Sequence, residues 1–192
     1  MERIKKGLLA SAELKKTAAE SLCGEILKAV QLIKHSLANG GKLLLMGNGG
    51  SAGDAQHIAA ELVGRFKKER KALPAMALTT NSSTLTALGN DYEYAVVFSR
   101  QIEAFVRKGD VVVGITTSGN SENVVRALKL ANEMGAATIG LLGNQGGKAR
   151  DVVNVAIVVP SNDTARIQEV HITIGHIICE ILEQELVLEK KI

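Results

Sequence analysis

Apolar residues recur at helical spacing through the first 38 positions, at Leu8, Leu9, Leu14, Ala18, Leu22, Ile26, Leu27, Val30 and Leu37, and stop at Asn39-Gly40-Gly41. A stripe of that period buries one side of a helix, and a glycine pair ends it, so one or two leading helices are predicted. The pattern then changes. Short apolar runs near 42–46, 74–79, 110–115, 137–142 and 153–159 read as strands. Helical spacing fills 51–66, stretches from Ser82 to Val106, 121–134 and about 163–188. Strands alternating with helices predict parallel pairing, since parallel strands need crossovers and the crossover helices cover both sheet faces. The expected fold is α/β: a three-layer α/β/α arrangement around a central five-stranded parallel sheet.

Composition narrows this picture. At 192 residues, 46% apolar and 22% charged, the chain suits a single domain, 1–192, carrying a helical extension over about 1–38. A net charge of +3, 3% aromatics and no Trp give little to grip phosphodiesters or stack bases, so no nucleic acid is expected. Cys23 and Cys179 lack CxxC spacing, the charged start MERIKKGLLASAELKK has no signal-peptide core, and no apolar run approaches the roughly 20 residues that span a bilayer. These features predict a cytoplasmic protein with no membrane partner. Lys67-Lys68-Glu69-Arg70-Lys71 reads as a solvated connection.

Candidate chemistry concentrates in GNGGSAGDAQHIAAE, residues 47–61. A strand ends there in a glycine turn, Asn48, Gly49 and Gly50, and a helix opens near Ser51. Unpaired amides at a helix start carry partial positive charge, and glycine lets an anion come close, so the turn suits a phosphate. His57 and Glu61, spaced i, i+4, share one side of that helix as a metal or proton-transfer pair. A second strand-to-turn segment, GITTSGNS, offers the hydroxyls of Thr116, Thr117, Ser118 and Ser121 to the same kind of ligand. Both turns follow strands of a parallel sheet and so face its carboxyl edge, where ligands of open α/β sheets bind.

Two nucleotide readings fail. Gly47-x-Gly49-x-x-Ala52 fits a dinucleotide fingerprint, but the second strand ends in Thr79-Thr80-Asn81 and not in the carboxylate that would hold a ribose. GNQGGKA, residues 143–149, is one residue short of a P-loop and lacks its closing hydroxyl, so it reads as a turn. In the last helix Gln168, His171 and His176 interrupt an isoleucine-rich stretch, where a buried polar group needs a reason. His171 diverges in direction from His176 and reads as packed or surface, and His35 as an ordinary helix residue. Gly175, costing about 1 kcal/mol inside a helix, signals a close approach to the backbone. His57, Glu61, Gln168 and His176 together make an imidazole and oxygen set suited to zinc.

GNGGSAGDAQHIAAEL, ALGNDY, GITTSGNS and RIQEVHITIGH together resemble the bacterial phosphoheptose isomerases, members of the sugar isomerase (SIS) fold family with a flavodoxin-like sheet. The likeness covers essentially the whole chain. It implies isomerisation of sedoheptulose 7-phosphate to D-glycero-D-manno-heptose 7-phosphate, the first step toward heptose for lipopolysaccharide core or other surface glycans. It also implies a homotetramer with active sites where subunits meet and one zinc per subunit on His57, Glu61, Gln168 and His176. Residues matching the family's substrate contacts are Asn48, Gly49, Gly50, Asn90, Asp91, Thr116, Thr117, Ser118, Ser121 and Gln168; Ser51 joins them on physical grounds. Glu61 is the implied base and His176 the implied acid. Thr116 departs from the serine of a familiar member but keeps the hydroxyl. Two rival readings stand beside this one: a noncatalytic branch of the scaffold that docks on the bacterial replication initiator, and isomerisation of a pentose or hexose phosphate.

Overall fold

The computed structural model describes residues 1–188. Two leading helices, α1 (Glu2–Ser21) and α2 (Cys23–Ala38), precede β1 (Leu43–Gly47), α3 (Gly50–Val63), β2 (Ala75–Ala77) and α4 (Ser82–Asp91). A 3-10 turn at Tyr94–Val96 leads to α5 (Ser99–Phe105), β3 (Val111–Thr116), α6 (Glu122–Glu133) and β4 (Ala137–Leu142). Then come a short α7 (Gly147–Arg150), β5 (Val155–Val158) and the long α8 (Thr164–Leu188). The five strands pair in parallel in the order β2-β1-β3-β4-β5.

Alternation along the strands builds two cores. Leu43 and Leu45 of β1, with Val111, Val113 and Ile115 of β3, pack under α1, α2, α3 and α8. Leu44, Met46 and Val112 point the other way, into a second core with Phe98 and Ile102 near α5 and Val124 and Leu128 of α6. Successive side chains of a strand leave on opposite faces, so a continuous apolar run fills both layers at once. The predicted three-layer architecture is thus present. Boundaries are tighter than expected: β2 keeps three residues, and the stretch from Ser82 to Val106 breaks into two helices and a 3-10 turn.

The topology places the candidate turns. Gly47 pairs in register with Ile115, so the segments after β1 and after β3 leave adjacent strands at one edge. The chain goes outward from β1 to β2 and then returns past β1 to β3, which makes that edge the switch point of the sheet. α3 and α8 both start from this edge and run side by side. Gly175 explains how closely: a Cβ there would lie 2.6 Å from the Ile58 side chain, so only glycine lets α8 settle on α3. Its placement in mid-helix, costly in isolation, is accounted for by this contact.

Candidate functional site

The first turn is built by Gly49, whose φ of 55° swings the chain into α3, and by Ser51, buried, whose amide bonds to the Asn48 carbonyl at 3.0 Å. Asn48 is held from two sides. Its side chain exchanges two 2.9 Å hydrogen bonds with Asn123 at the start of α6, and its Oδ1 also accepts from the Tyr94 hydroxyl at 3.2 Å. Asn123 therefore locks the first turn to the second. In that second turn the Thr116 hydroxyl lies 3.0 Å from that of Ser121 and 3.4 Å from that of Ser118, beside the opening of α6. Three hydroxyls and a set of helix-start amides face one edge, a donor-rich arrangement suited to phosphate oxygens. Thr117 is half-buried between them, and its carbonyl accepts from Asn144 at 2.8 Å.

Asn90 and Asp91 lie exposed at the end of α4, where Asn90 Nδ2 donates to Asp91 Oδ1 at 2.9 Å. They are four and three residues from Tyr94, which brings that segment to Asn48. Gln168, near the start of α8, lays its amide on the first turn, so close that a Cβ at Gly50 would sit 2.7 Å from its Nε2.

Farther along the same two helices the cluster forms. His57 Nε2 is 3.2 Å from Glu61 Oε1 and 3.3 Å from His176 Nε2, and one ligand atom from each of the three residues falls within 4.8 Å of the others. Two ligand atoms held tetrahedrally at about 2.0–2.1 Å from one ion stand about 3.3–3.4 Å apart, so the observed spacings fit a shared divalent cation. The imidazole and carboxylate donor set suits a divalent transition-metal ion. The rings of His57 and His176 meet edge to face with centroids 4.9 Å apart, and the Phe66 ring lies 5.6 Å from that of His176. His57 is exposed while Glu61 and His176 are half-buried, so the cluster opens to solvent in the single chain.

Burial pushes the Asp54 carboxyl up, against the opposing pull of His57 one turn away. His171 is fully buried and turns away from this cluster. Its Nε2 donates to the Leu142 carbonyl at 2.9 Å, and burial pushes its imidazole down to about 4 against that bond. It is a packed, neutral core histidine, as its direction on the helix predicts.

One expectation holds except at a single residue. Lys67, Lys68, Glu69 and Lys71 are exposed, as a solvated connection requires, but the Arg70 side chain is 5% exposed and pairs with Glu183 at 3.3 Å. Periodicity could not show this, since the partner lies on α8, over a hundred residues away. Asn123, Tyr94, Phe66 and Glu183 also escaped the sequence reading. Each acts through contacts that carry no local motif.

A family model described as SIS domain matches residues 9–143. Phosphoheptose isomerase of Aquifex aeolicus is 55% identical over 190 residues, 99% of each chain. That of Geobacter sulfurreducens is 58% identical over 179 residues, 93% of this chain and 95% of the relative. The solved phosphoheptose isomerase of Neisseria gonorrhoeae superposes with a TM-score of 0.90 at 45% identity, over 95% of this chain and 98% of that one.

Proposed function

Because the chain belongs to the phosphoheptose isomerases, a family of SIS-domain proteins, we propose that it interconverts sedoheptulose 7-phosphate and D-glycero-D-manno-heptose 7-phosphate through an enediol. The observation that carries this reading is the convergence of Glu61 and His176, 115 positions apart in sequence, around His57.

Moving a carbonyl from C2 to C1 requires a proton to leave C1 and one to arrive at C2, and two positioned acid/base groups suffice. Glu61 takes the first and His176 supplies the second. The turns at 48–51 and 116–121 bind the phosphate, and that binding energy sets C1 and C2 in register with the proton-transfer pair. Asp91 and Gln168 orient hydroxyls. His57, Glu61 and His176, with Gln168 as the fourth group that the family resemblance implies, would hold zinc, which when bound supplies a positive charge near the oxygens that become electron-rich.

The chain is read as one domain with its helical extension, assembled as a homotetramer with sites at subunit interfaces. Support comes from the apolar side chains left exposed on the outer helices, Leu8, Leu9, Leu27 and Ile177, and from a groove of about 330 Å³ between α1, α2 and α8. Among the described residues no helix is long and apolar enough to cross a membrane. A cytoplasmic role in supplying heptose to lipopolysaccharide core or other surface glycans follows from the proposed activity.

The test is incubation of purified protein with sedoheptulose 7-phosphate, with the product identified by NMR, before and after chelation and zinc return. Formation of the aldoheptose phosphate, lost on chelation and restored by zinc, is expected. No conversion by zinc-loaded protein would overturn the assignment, and a panel of pentose and hexose ketose phosphates tests the choice of substrate.

A further inference from the structure

We propose that Arg70 and Glu183 are positioning residues: a buried ion pair that clamps the end of α3 to α8 and so fixes His57 and Glu61 against His176. This rests on the reading of that cluster as the metal and proton-transfer centre. Glu183 follows His176 by seven residues, two helical turns, and so lies on the same side of α8 just past the end of α3. Its side chain is 2% exposed, yet both its oxygens accept hydrogen bonds. It accepts from the backbone amides of Phe66, Lys67 and Lys68 at 2.9, 2.8 and 2.6 Å, and Arg70 Nε stands 3.3 Å from its Oε2.

Arg70 completes the clamp on the other side. Its guanidinium donates to the carbonyls of Glu61 at 2.8 Å, Leu62 at 2.8 Å and Gly64 at 3.1 Å. These belong to the last turn of α3 and the residue after it, whose carbonyls have no partner within the helix. One of them is the backbone of Glu61 itself. The loop that Glu183 gathers also carries Phe66, whose ring lies against His176. Thus the pair holds, through two donors and one acceptor group, the backbone of one member of the cluster and the ring that backs another.

Stability alone does not explain such a pair. Removing two charges from water costs as much as their attraction returns, and well-packed apolar residues of similar volume serve equally well for holding a fold together. A planar fork that reaches several carbonyls and a carboxylate that gathers three amides do what no apolar contact does, which is to fix direction as well as distance. The 3.2 and 3.3 Å spacings of the cluster need that precision, because a small relative slide of the two helices would separate the ligand atoms.

The experiment titrates zinc into metal-free full-length protein against a chromophoric chelator and measures kcat and KM, for the parent, Glu183→Gln and Arg70→Lys. Glu183→Gln keeps the shape but loses the charge; Arg70→Lys keeps the charge but loses the fork. Each is expected to weaken zinc binding about 10- to 100-fold, the range typical of groups that orient metal ligands, and to lower kcat with KM changed less than about threefold. Ile102→Val, which loosens the opposite core, is the stability control and should leave zinc affinity at the parental value. Zinc affinity and kcat both within about twofold of the parent in either variant, with a cooperative melt, would overturn the proposal. If Glu183→Gln does not fold, Arg70→Lys decides alone. Failure of the underlying reading shows separately, as unchanged zinc affinity and turnover in Glu61→Gln and His176→Gln, and takes the clamp with it.

Discussion

Substituting Gly50 with alanine separates what the first turn does for folding from what it does for the site. Gly50 is the first residue of α3 and has no unusual φ, so alanine suits its backbone and gains up to about 1 kcal/mol of helix propensity. The added methyl would lie 2.7 Å from Gln168 Nε2 and 2.8 Å from its Oε1. Relaxing such a contact to the usual separation of about 3.5 Å moves the amide by roughly 0.8 Å. Because the obstacle is the end of a flexible side chain, the fold yields at little cost and the displacement falls on Gln168. Misplacement of a positioning group by about 1 Å costs up to roughly a hundredfold in rate. Gly50→Ala should therefore melt at or above the parental temperature while losing at least tenfold in kcat/KM. Calorimetry and initial-rate kinetics on the same preparation check both halves. Parental kinetics with parental stability would refute the argument, showing that Gln168 has no need of its place over Gly50. Gly119 is the contrast. A Cβ there meets the Gly146 carbonyl oxygen at 1.9 Å and the φ is 68°, so Gly119→Ala should destabilise by several kcal/mol.

Glu61→Gln and His176→Gln should each lower kcat by about two to four orders of magnitude with a modest change in KM, measured by product formation under saturating substrate. Ser118→Ala should do the reverse, raising KM while leaving kcat near parental; an unaltered KM removes Ser118 from the phosphate loop. His171 gives a pH dependence whose sign is fixed. Its imidazole is pushed down to about 4 in the fold, below the ordinary 6.5, so the unfolded chain binds a proton first as pH falls. Its contribution is whole above 6.5 and is lost on acidification toward 4, about 2 kcal/mol being gone by pH 5. Urea midpoints for the parent and His171→Gln at pH 7 and 5 should show the smaller pH effect in the variant. Asp110→Ala should cost about 3 kcal/mol by urea titration, because the buried carboxylate binds the amides of Lys42 and Arg107 at 3.0 and 2.7 Å and the Lys42 ammonium at 2.6 Å.

The parts of the site that were legible are those whose partners are near in sequence. His57 and Glu61 share a helix face through spacing alone, and the Thr116, Ser118 and Ser121 hydroxyls meet within one turn. Gly175 was legible as a cost without a visible benefit, and the benefit proved to be Ile58. Arg70 was misread because five charged residues in a row look alike, while burial of one of them depends on Glu183. Asn123 gave no signal at all: an asparagine in the first turn of a helix is ordinary until its partner, Asn48, is seen across the sheet edge.

Periodicity, turn residues and local spacing were enough to set the alternating elements, the parallel sheet and the edge where ligands bind, because those properties arise from neighbours along the chain. How α8 lies on α3 was decided only in three dimensions. That packing brings His176 to His57, puts Gln168 on Gly50 and closes Glu183 over Arg70. No residue pattern encodes such contacts by itself, since they depend on which two surfaces fit closely enough to exclude water.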